Sequence, residues 1–196
     1  YFLVRLKNKY NARLMIDDSH GFGVMGKTGR GTCEYFDLMD QVDVFMATFS
    51  KCFASVGGFV ASNKQVVNYI SHVAGAYTNT AALPPVNVAT ILECLSILEK
   101  EPERAEKARA NAEYVRMELT ARGVPCVKDV ISPIVSFYTK DEISTYLCAV
   151  QLLHRGVYVN VLVSNGLIRT CYNAQHTLKQ LEFVANQISE VVLKYK

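Results

Sequence analysis

Apolar positions along this chain change period several times, and each change marks an element. Leu14 to Asp17, Val42 to Met46 and Phe59 to Ala61 are short apolar runs bounded by polar or glycine residues, and they read as strands. Gln65 to Val73 switches to helical spacing, residues 76–85 form a loop ending in Pro84-Pro85, and Val86 to Lys100 repeats apolar residues at Val88, Ile91, Leu92, Leu95 and Leu98 as a helix does. Pro102 opens a longer helix that Gly123 closes. Ile131 to Tyr138 then reads as a strand, Asp141 to Arg155 as a helix closed by Gly156, and Val157 to Val163 and Leu167 to Tyr172 as two more strands. The last helix, Thr177 to Lys194, starts with the capping-box pair Thr177 and Gln180. The opening residues YFLVRLKNKYNARL read as the tail of an amphipathic helix and a turn at Asn11, the interior of a domain, so further sequence is expected upstream.

This order predicts an α/β protein. Residues 1–103 supply part of a large parallel-sheet domain, and residues 104–196 form a smaller α+β domain. Half the residues are apolar, a fifth are charged, and the net charge of +3 is spread out, which gives no electrostatic case for nucleic acid. No apolar run has membrane-spanning length and no signal peptide opens the chain. Six cysteines (Cys33, Cys52, Cys94, Cys126, Cys148, Cys171) lie far apart without a CxxC pair, the pattern of reduced core thiols in a cytoplasmic protein.

Candidate chemistry is concentrated in ATFSKCFASVGG, residues 47–58. Here Lys51 stands between two apolar strands, with Thr48 and Ser50 before it and Gly57-Gly58 after it. Burial at such a place frees a lysine amine for imine chemistry, whereas the plain alternative is a solvated surface charge. Upstream, GFGVMGKTGRG (residues 21–31) matches GxGxxG at Gly21, Gly23 and Gly26, and also the P-loop pattern at Gly21, Gly26, Lys27 and Thr28. Both patterns need glycines leading straight into a helix whose N-terminus holds phosphate. Gly29 and Gly31 interrupt any such helix, and Asp17-Asp18 would repel the phosphate, so a glycine-rich surface turn is the better reading.

The cluster Asp17-Asp18-Ser19-His20 ends the first strand. Asp and His there either cap the following turn or share a site. A metal would require a third ligand that the sequence does not supply, so none is expected. A pyridoxal phosphate site uses all the pieces: a carboxylate that keeps the ring nitrogen protonated, a histidine beside the ring, and a lysine that forms the imine.

DDSHGFGVMGKTGRG, TFSK and the following Gly-Gly pair resemble the α-oxoamine synthases, fold-type I pyridoxal phosphate enzymes that condense an amino acid with an acyl-CoA and release CO2. The resemblance continues through TAALPP (80–85), SPIV (132–135), RGVYVN (155–160) and LIRTCYNAQHT (167–177), and so covers essentially the whole chain. It implies that Lys51 holds pyridoxal 5'-phosphate as an imine and serves as the catalytic base, with Asp17 on the ring nitrogen and His20 on the ring oxygen. Thr48, with Ser50 beside it, would bind the phosphate. Thr80 would reach the phosphate of the other subunit in a homodimer with a composite site, and Arg169 would hold the amino-acid carboxylate. Two departures stand out: the family's N-terminal half, with its ring-stacking histidine, is absent, and the segment between Asn160 and Arg169 is shorter than the family's.

The expected activity is a decarboxylative condensation like that of serine palmitoyltransferase, with glycine C-acetyltransferase or 8-amino-7-oxononanoate synthase as alternatives. The readings from other classes are a catalytically silent dimerising subunit or fragment, and a P-loop nucleotide binder. Residues 1–196 alone are expected to be inactive.

Overall fold

The structure is a computed structural model that describes residues 1–128 and 130–195. The chain forms two compact units, Tyr1–Ala105 and Glu106–Lys196.

In the first unit, α1 (Phe2–Lys9) leads through a left-handed turn at Asn11 into β1 (Met15–Asp17). The glycine-rich stretch and the one-turn helix α2 (Thr32–Tyr35) follow, then β2 (Val44–Thr48), β3 (Gly58–Ser62), α3 (Lys64–Val73), the short α4 (Gly75–Thr78) and α5 (Pro85–Lys100). The sheet order is β1-β2-β3. β1 pairs parallel to β2 with Asp17 opposite Met46, whereas β3 pairs antiparallel to β2 with Thr48 opposite Gly58. The sheet is therefore mixed rather than parallel. Residues 49–57 are too few for the crossover of about a dozen residues or more that a parallel return needs, so β3 must fold back. β1 is also not the buried strand expected, since Met15 is 58% exposed. The expected loop 76–85 begins inside α4.

Asn63 caps α3 by accepting from the Val66 N–H at 3.0 Å, and Pro85 opens α5 where its missing N–H costs nothing.

The boundary between the units falls within α6 (Glu103–Ala121). The second unit continues with β4 (Ile134–Tyr138), α7 (Glu142–His154), β5 (Asn160–Leu162), β6 (Leu167–Cys171) and α8 (Leu178–Val192). Its sheet is antiparallel in the order β4-β6-β5. Period-two alternation turns Val135, Phe137 and Ile168 inward, all fully buried against Val115 and Leu119 of α6, Leu152 of α7 and Ile188 of α8. The same alternation puts Arg169 on the opposite face, in register with Ser136 and Asn160.

The cap of α8 is the expected capping box: Thr177 accepts from the Gln180 N–H while Gln180 Oε1 accepts from the Thr177 N–H at 2.8 Å. The strand expected from Val157 shrinks to β5, because Val157 is buried in the turn that leaves α7 at Gly156. The cysteines are less uniform than core thiols. Cys33 and Cys148 are buried, but Cys52 and Cys171 are exposed.

Candidate active site

Two adjacent strands end side by side in the first unit, and the polar residues of the candidate site lie at or beyond those ends. Asp17 is the last residue of β1, and Thr48 is the last of β2. The Asp17 carboxylate is oriented locally: its Oδ1 accepts from the Ser19 N–H at 3.0 Å and the Ser19 hydroxyl at 2.5 Å. These two bonds hold the carboxyl below its usual range, and the charges of Lys51 and His20 lower it further. Asp17 is thus ionised, and Lys51 and His20 are near enough for their charges to act on it. Ser19 carried no role in the sequence reading, although Asp17-Asp18-Ser19 has the spacing of an Asx turn, which could have pointed to it.

Residues 49–57 form the turn that carries Lys51. Thr48 Oγ1 donates to the Gly57 carbonyl at 2.9 Å, so its single proton is committed there. The Ser50 hydroxyl, 2.9 Å away, therefore donates to Thr48 Oγ1, and the Ser50 N–H donates to the same oxygen at 3.2 Å. At the far side of the turn, buried Phe53 and Ser55 fix it to α5. The Cys94 thiol donates to the Phe53 carbonyl, and Asn87 Nδ2 donates to Ser55 Oγ at 3.2 Å. No side chain fits at Gly58, where a methyl group would lie 2.6 Å from the Ala47 carbonyl oxygen.

Lys51 itself is exposed, which corrects the expectation of a lysine buried between strands. The apolar runs on either side pair with each other as β2 and β3, and the turn lifts the lysine beyond their ends. His20 and Ser50 are likewise exposed. Thr80 is exposed just after α4, its hydroxyl donating to the Ala76 carbonyl at 2.6 Å.

The glycine-rich stretch reaches the surface at Lys27, Thr28 and Arg30, but its glycines do not face solvent as a surface turn would have them. Gly21, Gly23, Gly26, Gly29 and Gly31 are all buried, because side chains of Asp18, Cys52, Glu34 and Leu98 occupy the space where their Cβ atoms would be. No phosphate-binding helix follows, since α2 is a single turn.

Arg169 lies in the second unit, on the outward face of β6. Its Nε is buried and has no hydrogen-bond partner, an orphaned donor on a residue expected to grip a carboxylate. No group of three or more His, Cys, Asp or Glu among the described residues could hold a metal.

An ionised strand-end carboxylate, a hydroxyl pair and an accessible lysine fit a group that carries a cationic ring nitrogen, a phosphate and an aldehyde. This is the α/β arrangement of fold-type I pyridoxal phosphate proteins. The chain belongs to the aminotransferase class I and II family, which matches residues 2–188, and its relatives place it among the α-oxoamine synthases. It is 37% identical over 186 residues to serine palmitoyltransferase of Bacteroides ovatus, covering 92% of this chain and 47% of that protein. It is 34% identical over 192 residues to a putative 8-amino-7-oxononanoate synthase of Acetivibrio thermocellus, covering 95% of this chain and 49% of that one. A solved serine palmitoyltransferase variant from S. paucimobilis, with a bound PLP–myriocin aldimine, superposes with a TM-score of 0.91 at 29% identity, covering 99% of this chain and 50% of that chain. The chain spans about half the length of the curated relatives it matches.

Proposed function

We propose that this chain carries the lysine-bearing half of an enzyme that condenses an amino acid with an acyl-CoA, with loss of CO2, in the manner of serine palmitoyltransferase. The observation that carries the reading is the convergence at two neighbouring strand ends of ionised Asp17, the Thr48–Ser50 hydroxyls and accessible Lys51.

Pyridoxal phosphate, when bound, supplies an electron sink for the α-carbon of the amino acid. In this reading Lys51 Nζ would hold the cofactor and, when not so engaged, would be the base that takes the α-proton. Asp17, kept ionised by Ser19, holds the proton on the ring nitrogen. His20 would orient the ring oxygen, and the Ser50 hydroxyl, turned from Thr48 Oγ1, would donate to the phosphate, with Thr48 holding the turn that presents it. Arg169 grips the substrate carboxylate through its planar fork, which would give its orphaned Nε a partner.

In the same reading exposed Thr80 would turn its hydroxyl from the Ala76 carbonyl to the phosphate of a second subunit, in a homodimer with composite sites. Six free cysteines fit the reducing cytoplasm. Among the described residues no helix is long and apolar enough to cross a membrane.

The test is borohydride reduction of the full-length protein with pyridoxal phosphate, followed by peptide mapping and by assay against a panel of amino acids and acyl-CoAs. Label at Lys51 with turnover of serine and a long-chain acyl-CoA is expected. Label elsewhere removes the site assignment, and turnover of a different amino acid and acyl-CoA pair instead of serine with a long-chain acyl-CoA would favour the 8-amino-7-oxononanoate synthases, to one of which this chain is nearly as similar.

A further inference from the structure

The buried glycine stretch has no role in the chemistry above, yet it lies directly beneath the segment that carries Lys51. Phe22 stacks on Phe53 with ring centroids 4.9 Å apart and planes 7° from parallel, and meets Phe59 edge-on at 5.1 Å. The Cys52 thiol, next to Lys51, donates to the Phe22 carbonyl at 3.1 Å. Gly23 packs so closely under that thiol that a methyl group there would lie 2.2 Å from Cys52 Sγ. Cys52 keeps exposed surface, but desolvation of its sulfur pushes the thiol up to about 11, so it stays protonated and remains a donor.

The stretch is held in shape by two carboxylates, buried Asp18 and half-buried Glu34. Glu34 accepts from the Thr28 N–H, the Thr28 hydroxyl at 2.7 Å and the Arg30 N–H at 2.9 Å, and occupies the space where Gly26 would carry a side chain. Asp18 accepts from the Thr32 N–H and hydroxyl, each at 2.6 Å, and fills the corresponding space at Gly21 and Gly31. Cross-bonds from the Gly23 N–H to the Gly29 carbonyl (2.8 Å) and from the Gly31 N–H to the Met25 carbonyl (3.0 Å) complete the knot. Gly23, Gly26, Gly29 and Gly31 all have φ between 79° and 102°, a backbone that side-chain-bearing residues rarely adopt.

We propose that residues 21–31 are a rigid bed that sets the position of Lys51 through the Phe22-Gly23 step and Cys52, with Glu34 and Asp18 as the positioning residues that hold the bed in shape. The proposal rests on the reading of Lys51 as the imine lysine. Its energetic basis is preorganisation: an ångström of misplacement at a reacting group can cost about a hundredfold in rate.

The experiment compares full-length wild type with Glu34→Gln, Cys52→Ala and Cys52→Ser. It measures the rate of covalent capture of added pyridoxal phosphate, the pH midpoint of its visible absorbance band, and thermal melting. Glu34→Gln is expected to slow capture about tenfold and to move the midpoint. Cys52→Ala should act in the same direction with unchanged melting, and Cys52→Ser, which restores a donor to the Phe22 carbonyl, should recover most of the loss. Borohydride mapping of wild type separates the two readings. Label on another lysine overturns the Lys51 assignment and this proposal with it. Label at Lys51 with wild-type capture and midpoint in both Glu34→Gln and Cys52→Ala overturns the role of the bed alone. If Glu34→Gln does not fold, the Cys52 pair decides: wild-type behaviour of Cys52→Ala refutes the proposal.

Discussion

Thr48 Oγ1 donates to the Gly57 carbonyl at 2.9 Å, closing the neck of the turn on which Lys51 stands. The same oxygen accepts from both the N–H and the hydroxyl of Ser50, so one side chain organises the N-terminal arm of that turn. Thr48→Val keeps the shape and removes all three bonds. It is expected to cost ~1 kcal/mol of stability in urea denaturation, in line with the net worth of a partly exposed hydrogen bond, and to speed release of pyridoxal phosphate. Thr48→Ser should retain both properties.

Gly58 pairs with Thr48 across the β2–β3 ladder, and the neighbouring Ala47 carbonyl leaves it no room for a side chain. The obstructing atom is a backbone oxygen, which cannot rotate away. Gly58→Ala should therefore destabilise the protein by ~1–3 kcal/mol, as overpacking does, measured by chemical denaturation.

Ser19→Ala removes the stronger of the two bonds that hold the Asp17 carboxyl below its ordinary value of 3.8. A carboxyl with a lowered folded-state value contributes stability that is present above its unfolded value and is lost as pH falls through the folded one. In Ser19→Ala the Asp17 titration should move up toward the ordinary value, so the stability it contributes shrinks and its loss on acidification is complete at a higher pH. A carboxyl carbon NMR titration of Asp17 checks the direction. An unmoved midpoint would mean that Ser19 does not govern the Asp17 charge.

Arg169→Lys preserves charge but not the fork, and the buried Nε is lost altogether. In the full-length enzyme, binding of the amino acid should weaken far more than binding of the acyl-CoA. Equal losses for both substrates, read from separate titrations, would make Arg169 a structural residue instead.

Period and punctuation alone located most elements. Helical spacing from Val86 and the proline pair set α5, and Thr177 with Gln180 set the start of α8, because these signals are local and need no partner from elsewhere in the chain. The grouping of Asp17 with Lys51 was legible because both follow apolar strands, and side chains at strand ends in α/β sheets converge where the strands stop.

What the linear pattern could not decide were the quantities that depend on what packs against what. Lys51 looked buried between two apolar runs, but those runs pair antiparallel and leave the lysine outside the ladder. The glycines at 21–31 looked like solvent-facing turn residues. They are buried because Asp18 and Glu34, on either side of the stretch in sequence, fold into the spaces that the missing side chains leave. Local spacing records a residue's own conformational preference, whereas burial and neighbours are set by segments distant in the chain, such as Cys52 seated on Gly23, and only the tertiary structure brings those together.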